Sequence, residues 1–270
     1  LLEMIKKFEA EPDAMASTPV MSVYRPRSIL ECMQAVEYTF GIFYKKMFDN
    51  LAAISVLPGP FSIYRRAVFE QIGLFRKAHH TEDMEMAFRM QSKGLQIVNA
   101  HHAIVSTNVP RTVGALIRQR TRWSRGFLEN SRDYSYMYLN PKYGHFGVLV
   151  LPFGLAAFTA GLYTAGYAFY EFSSTLGARL ASVWATRVPL HLPHLHFEWF
   201  YLNTSMLTFL VIVVMILTTT AILLGRRMAH TELSVVSFVS YFVLFGMIAP
   251  LWLARATWDT IRSQERGWLT

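Results

Sequence analysis

Hydrophobic and polar positions follow two regimes that meet near residue 145. Before it, short apolar runs are broken at close intervals by charges, prolines and glycines; after it, long apolar stretches alternate with polar ones. In the first regime Leu2, Ile5 and Phe8 recur at helical spacing until Glu11-Pro12-Asp13 ends the run. Residues 15–24 read as a strand. Pro26 breaks it, and Ser28 caps a predicted helix over 29–51 whose stripe is Leu30, Met33, Val36, Phe40, Phe43 and Met47, with a polar outer face. An apolar strand over 55–65 is interrupted by Pro58-Gly59-Pro60, because proline cannot donate to a ladder. A short helix over 66–72 ends at Gly73, and Thr81 caps another that reaches Gly94. Residues 95–100 and 103–107 read as strands. This alternation of short strands and helices predicts an α/β layer structure for residues 1–110.

On a helical wheel, residues 111–130 place Val113, Leu116, Ile117, Trp123, Phe127 and Leu128 within one arc of roughly 140°, opposite Arg111, Arg118, Arg122 and Arg125. Arg120 falls inside the apolar arc. The pattern predicts an interfacial helix lying along a membrane surface, its arginines toward headgroups or phosphates, within a connector over 111–145. Residues 146–172 hold no charge before Glu171 and exceed the roughly 20 residues that cross a hydrocarbon core. Two further spans are expected over 199–224, stopped by Gly225-Arg226-Arg227, and over 233–254, with Pro250 and Trp252 near the end. Residues 146–270 therefore read as a helical bundle of about three spans, with residues 173–198 too polar to cross.

Composition agrees with this division. A chain of 270 residues that is 53% hydrophobic is too apolar for an ordinary soluble enzyme. Of the net charge of +8, residues 1–145 carry +6 and the remainder +2. The single cysteine, Cys32, excludes an intrachain disulfide and fits a reducing compartment. With the charged half inside, three spans leave Arg179, Arg187, Arg255, Arg262 and Arg266 outside and only Arg226 and Arg227 inside, against the positive-inside tendency. The basic helix beside the first span argues the other way. On that ground the charged half is placed in the cytosol, at the inner membrane, with the side on which the chain ends left open.

Candidate chemistry lies in two runs. Thr81-Glu82-Asp83 alone is what a helix N-terminus favours through capping and the macrodipole, and it is also a carboxylate placed to take a proton from an attacking hydroxyl. Gln119-Arg120-Thr121-Arg122-Trp123 begins 36 positions after Asp83. Arginines beside a span have a structural explanation, yet a guanidinium also grips a diphosphate bidentately, and a tryptophan offers a flat face to a sugar. Other residues carry less. His191, His194 and His196 match no metal-site spacing and read as an interfacial loop, His79-His80 and His101-His102 flank strands, and Glu171 and Glu198 bracket a solvated segment.

The order and spacing of these runs, with spans behind them, resemble the membrane-fixed family 2 glycosyltransferases, the group containing cellulose, hyaluronan and poly-N-acetylglucosamine synthases. Thr81-Glu82-Asp83 and the Q-x-x-R-W run over 119–123 carry the resemblance. Pro58-Gly59-Pro60-Phe61-Ser62-Ile63-Tyr64-Arg65-Arg66 looks like that family's glycine loop and following strand. The resemblance covers residues 1–145 and, by architecture alone, the rest. It implies a partial GT-A-type α/β catalytic portion, with Asp83 as general base on the acceptor hydroxyl and Glu82 shaping the site. Gln119, Arg120, Arg122 and Trp123 would bind the donor diphosphate and the acceptor end, and Gly59, Tyr64 and Arg65 would border the acceptor sugar.

The same resemblance implies a nucleotide-sugar donor, a polysaccharide or lipid-linked acceptor, surrounding membrane lipid, no nucleic acid, transfer with inversion, and a divalent metal, Mg or Mn. The family holds nucleotide and metal with an earlier D-x-D motif, which this chain lacks. The metal ligands and the donor-binding half are therefore expected before Leu1, and the fragment alone is expected to be inactive. Two other readings stay open at this point: transfer of one sugar to a lipid carrier, and a non-catalytic membrane scaffold or translocation subunit.

Overall fold

The structure, a computed structural model, describes residues 1–76, 80–187, 206–229 and 231–262. A three-stranded sheet of β1 (Ala16–Val23), β2 (Ile63–Tyr64) and β3 (Ile97–Thr107) has the order β2-β1-β3. β1 runs antiparallel to β2 and parallel to β3. Pro19 has no N–H, and the ladder slips beside it: Pro19 faces Ala100 whereas Val20 faces Ile104. The two strands expected over 95–100 and 103–107 are therefore one strand with a bulge at His101, His102 and Ala103. The strand expected over 55–65 shrinks to β2, because the chain around Pro58-Gly59-Pro60 leaves the sheet and Phe61 adopts φ +68°.

Helices α1 (Leu2–Ala10), α2 (Ile29–Asn50), α3 (Arg66–Ile72) and α4 (Glu82–Ser92) accompany the sheet. One core joins Ala16 and Ile97 of the sheet to Ile54, Leu57, Val68, Met86 and Met90. α2 starts with a capping box in which the Ser28 hydroxyl accepts from the Glu31 amide and the Glu31 carboxylate accepts from Ser28. Its expected polar outer face is corrected by the structure. α2 is covered by β1 on one side and by the apolar helices α7 (Met206–Ala229) and α8 (Val235–Ser240) on the other. At the α2–α7 crossing, Gly225 lets the backbones meet where a Cβ would overlap the Thr39 carbonyl oxygen.

α5 (Val113–Asp133) begins at Thr112, whose hydroxyl accepts from the Ala115 amide. Part of its apolar arc packs on protein, while Val113 of the same arc stays exposed. Leu116 and Ile117 pack against Ile248, Ala249 and Trp252 of α9 (Gly246–Ile261), while α4 packs against another face. Only part of the arginine face is free for headgroups. Arg111, Arg118 and Arg122 are exposed, Arg111 reaching Glu31 at 3.1 Å, whereas Arg125 is buried with Glu129 at 2.6 Å.

Three helices are long and apolar enough to cross a membrane: Phe146–Thr186, Thr208–Ala229 and Val235–Ile261. The first joins a π turn to α6 (Leu151–Thr186) and continues through residues 173–186, where an interruption was expected. Its 41 residues would span about 60 Å at 1.5 Å per residue, twice the roughly 30 Å hydrocarbon core, so its polar end extends past that core. The expected second-span start at Trp199, the His191, His194 and His196 cluster, Glu198 and His79 all lie outside the described residues.

Candidate active site

A cleft of about 550 Å³ opens between the sheet layer, α2 and α5. Its walls are the end of β1 (Val20, Met21), one face of α2, the Pro58-Gly59-Pro60 loop, residues 81–84 and the start of the second turn-pair of α5. Parallel pairing of β1 and β3 brings both strand ends to one edge, and the chain leaving β3 at Thr107 and Asn108 closes that edge beneath α5. Thr81, Glu82 and Asp83 face Gln119, Arg120, Arg122 and Trp123 across this space.

Asp83 sits in the first turn of α4, its Oδ1 accepting from the Met84 amide at 2.9 Å. Burial, then the Glu82 charge, push its carboxyl above the usual carboxylate range. The Met84 amide and Arg122 oppose them without cancelling them. A carboxylate with a raised proton affinity is a better general base near neutral pH. Thr81 does not cap α4 with its hydroxyl, as its position in the sequence suggests. That oxygen instead accepts from Asn130 Nδ2 of α5 at 3.2 Å. Gly126 lies against the same side chain, where a Cβ would come within 2.9 Å of Thr81 Cβ. The acidic step is thereby fixed to the helix that carries residues 119–123, although 36 positions separate Asp83 from Gln119.

The signature residues of α5 take different places. Arg122 is exposed on the rim of the cleft, and Trp123 is half-buried in its wall. Gln119 Oε1 is buried without a hydrogen-bond partner among the described residues. Arg120 is not free for a diphosphate in the way the sequence suggests. Its Nη2 donates to Glu37 Oε2 of α2 at 2.8 Å, and its guanidinium lies 4.2 Å from the centre of the Trp123 ring. Gly59 lines the cleft, but the two residues expected beside it do not. Tyr64 packs its ring on Phe69 and Phe75, and burial together with the Asp83 and Glu82 charges raises its phenol. Arg65 turns toward α1, donating to the carbonyls of Ala14 at 2.6 Å and Phe8 at 3.2 Å.

A sequence profile described as Glycosyl transferase family group 2 matches residues 1–254. The chain belongs to that family. It is also similar to the poly-beta-1,6-N-acetyl-D-glucosamine synthases of Staphylococcus aureus (strain COL) and Staphylococcus epidermidis, 29% identical to each over 124 residues. That match takes in 46% of this chain and 30% of each synthase, so the chain matches less than a third of the length of these relatives.

In this member of the family the sequence runs point to one wall of the cleft and miss the other. Glu37, Tyr38, Gly41 and Lys45 of α2 also line it. Their four-residue spacing, Glu37-Gly41-Lys45, is a readable signal: two charges and a glycine on one face of an otherwise apolar helix. Lys45 Nζ donates to Thr18 Oγ1 at 2.9 Å and to the Pro19 carbonyl at 3.2 Å. Burial lowers its pKa from 10.5 to about 7, against the pull of Asp83. Burial also raises the Glu37 carboxyl, more than Arg120 lowers it.

The His101 and His102 rings lie 4.0 Å apart, tilted by 43°, on the β3 bulge and do not line the cleft, nor does His80. Among the described residues no group of three or more His, Cys, Asp or Glu side chains could hold a metal ion. Glu37, Glu82 and Asp83 share the cleft without forming such a group, so these residues do not fit a divalent-metal centre.

Proposed function

We propose that this chain forms the acceptor side of an inverting membrane glycosyltransferase, one that moves a sugar from a nucleotide-sugar donor to the growing end of a polysaccharide or glycolipid. The observation that carries the reading is the shared cleft of Asp83, a carboxylate of raised proton affinity, and Gln119, Arg122 and Trp123. In this reading the Asp83 carboxylate accepts the proton of the acceptor hydroxyl as its oxygen attacks the anomeric carbon. The bond to the nucleoside diphosphate oxygen breaks on the opposite face, which inverts the centre. Arg122 and the Gln119 amide meet the negative charge that builds on the departing diphosphate, and the Trp123 ring faces the acceptor sugar.

We assign the donor-binding half, and any Mg or Mn ligands, to residues outside this chain. The catalytic layer is placed on the cytoplasmic face, supported by the basic residues beside the first span. The staphylococcal relatives are named as synthases of a polysaccharide, which favours chain extension over a single addition.

Asp83→Asn in the full-length protein is the test. Nucleotide release from the sugar donor should fall by about 10²- to 10⁴-fold, the usual worth of a general base, at unchanged expression and membrane insertion. A variant that turns over at the parent rate removes Asp83 from the role of base.

A further inference from the structure

Arg120 is the one residue of the 119–123 run whose position on the helical wheel conflicts with its charge, and the structure gives that conflict a reason. Its side chain is 7% exposed. A guanidinium placed there must be paired, because an unpaired buried charge is strongly destabilising. Glu37 supplies the pairing from the other wall of the cleft, 2.8 Å away. The guanidinium also lies within reach of two aromatic rings: Trp123 at 4.2 Å, one helical turn along α5, and Tyr38 at 5.9 Å on α2. Both distances fall within the roughly 6 Å over which a cation is held by a ring face.

We infer that Arg120 is a positioning residue: ion-paired to Glu37 across the α2–α5 seam, it is the shelf that holds the Trp123 ring in the wall of the cleft. A tryptophan on a helix face has two free torsions, and what packs on its back decides which way its front points. Lysine would keep the charge but lose the planar, stackable surface and the fixed fork toward Glu37. An apolar residue would fill the space and strand Glu37, which burial already disfavours as a carboxylate. The shelf explains why an arginine stands in the apolar arc of α5. Its catalytic meaning rests on the reading above, in which Trp123 faces the acceptor sugar.

The shelf is tested apart from that reading by a signal belonging to Trp123 alone. In full-length protein in nanodiscs, subtracting the emission of Trp123→Phe from that of the parent isolates the Trp123 component, and the same subtraction is made in each variant background. Arg120→Lys should raise the acrylamide quenching of that component by roughly twofold as the ring loses its backing. The exchanged pair E37R/R120E should recover thermal stability lost in Glu37→Gln but keep the raised quenching, because a carboxylate now lies against the ring. With a β-1,6-linked N-acetylglucosamine oligomer as acceptor probe, the Arg120→Lys defect should fall mainly on acceptor KM, by about tenfold.

Unchanged quenching in both Arg120→Lys and the exchanged pair would overturn the shelf and leave Arg120 as a fastener between helices. Raised quenching with an unchanged acceptor KM would overturn its role in acceptor binding. Failure of the underlying reading shows elsewhere, as parent-rate turnover by Asp83→Asn, and leaves the quenching result standing.

Discussion

α5 brings Gln119, Arg120, Arg122 and Trp123 to the cleft from little more than one turn of helix, while α2 brings Glu37, Tyr38, Gly41 and Lys45 from more than two. The first set is compact in sequence and shows as a motif. The second is spread at helical spacing and passes for the wet side of an amphipathic helix. In space the two sets are placed alike, since each helix puts its apolar stripe against helices apolar enough to cross a membrane, α2 on α7 and α8, α5 on α9. The polar faces are then left to meet the sheet layer and each other. An amphipathic helix beside a membrane bundle need not turn its charges to water: when the spans take the apolar face, the polar face becomes the wall of a site.

The comparison is sharpened most by the glycines on which each helix is seated. Gly126 seats α5 on the acidic step. A Cβ there would overlap the side chain of Thr81, which is β-branched and already accepts from Asn130. Gly126→Ala should therefore move residues 119–123 away from Asp83. We expect turnover to fall by about 10- to 100-fold, as misplacement near 1 Å does in active sites, with a loss of about 1–3 kcal/mol in stability. Steady-state rates and thermal unfolding measure the two effects.

Gly225 gives α2 the corresponding seat, against the Thr39 backbone, which cannot rotate aside. Gly225→Ala should cost a similar about 1–3 kcal/mol but lower turnover only a few-fold, because α2 supplies a wall of the cleft and not the base. A larger rate loss for Gly225→Ala than for Gly126→Ala would reverse the ranking of the two walls.

The difference between the helices also explains what could be read from the sequence. The Ser28 cap, the break at Pro58-Gly59-Pro60, the short helix ending at Gly73 and three apolar stretches are all local signals; the first three place their elements closely, and the last gives three helices whose ends differ from the expected ones. Asp83 and residues 119–123 are legible because each run is contiguous. Glu37 and Lys45 are not, because their role depends on which neighbour covers the opposite face of α2, and α7 begins more than 150 positions later in the chain. Arg65 fails for a similar reason: adjacency to Tyr64 suggests a place in the acceptor loop, while the carbonyls that hold its guanidinium belong to Phe8 and Ala14. The Thr81 hydroxyl has a local partner available at its own helix end and takes a distant one. Tertiary packing overrides local preference in each case.

Lys45 bears on stability and not on the proposed chemistry, and it asks whether the polar face of α2 lies out of water at all. Burial holds its folded pKa at about 7, below the ordinary 10.5. Between those two values the unfolded chain binds the proton and the folded chain does not, so stability should rise with pH across that window. Below it both states are protonated, and the cost of burying the ammonium is present in full. Above it both are neutral and the cost disappears. Lys45→Met removes this dependence, so the stability difference, parent minus variant, should climb from about pH 7 toward pH 10.5. Other titrating groups are common to both proteins, and the difference isolates Lys45. A flat difference across the window would mean a hydrated ammonium, and α2 would then have the wet outer face that its sequence suggests; a climbing one requires that the ammonium at the end of the Glu37-Gly41-Lys45 face be desolvated beside Asp83.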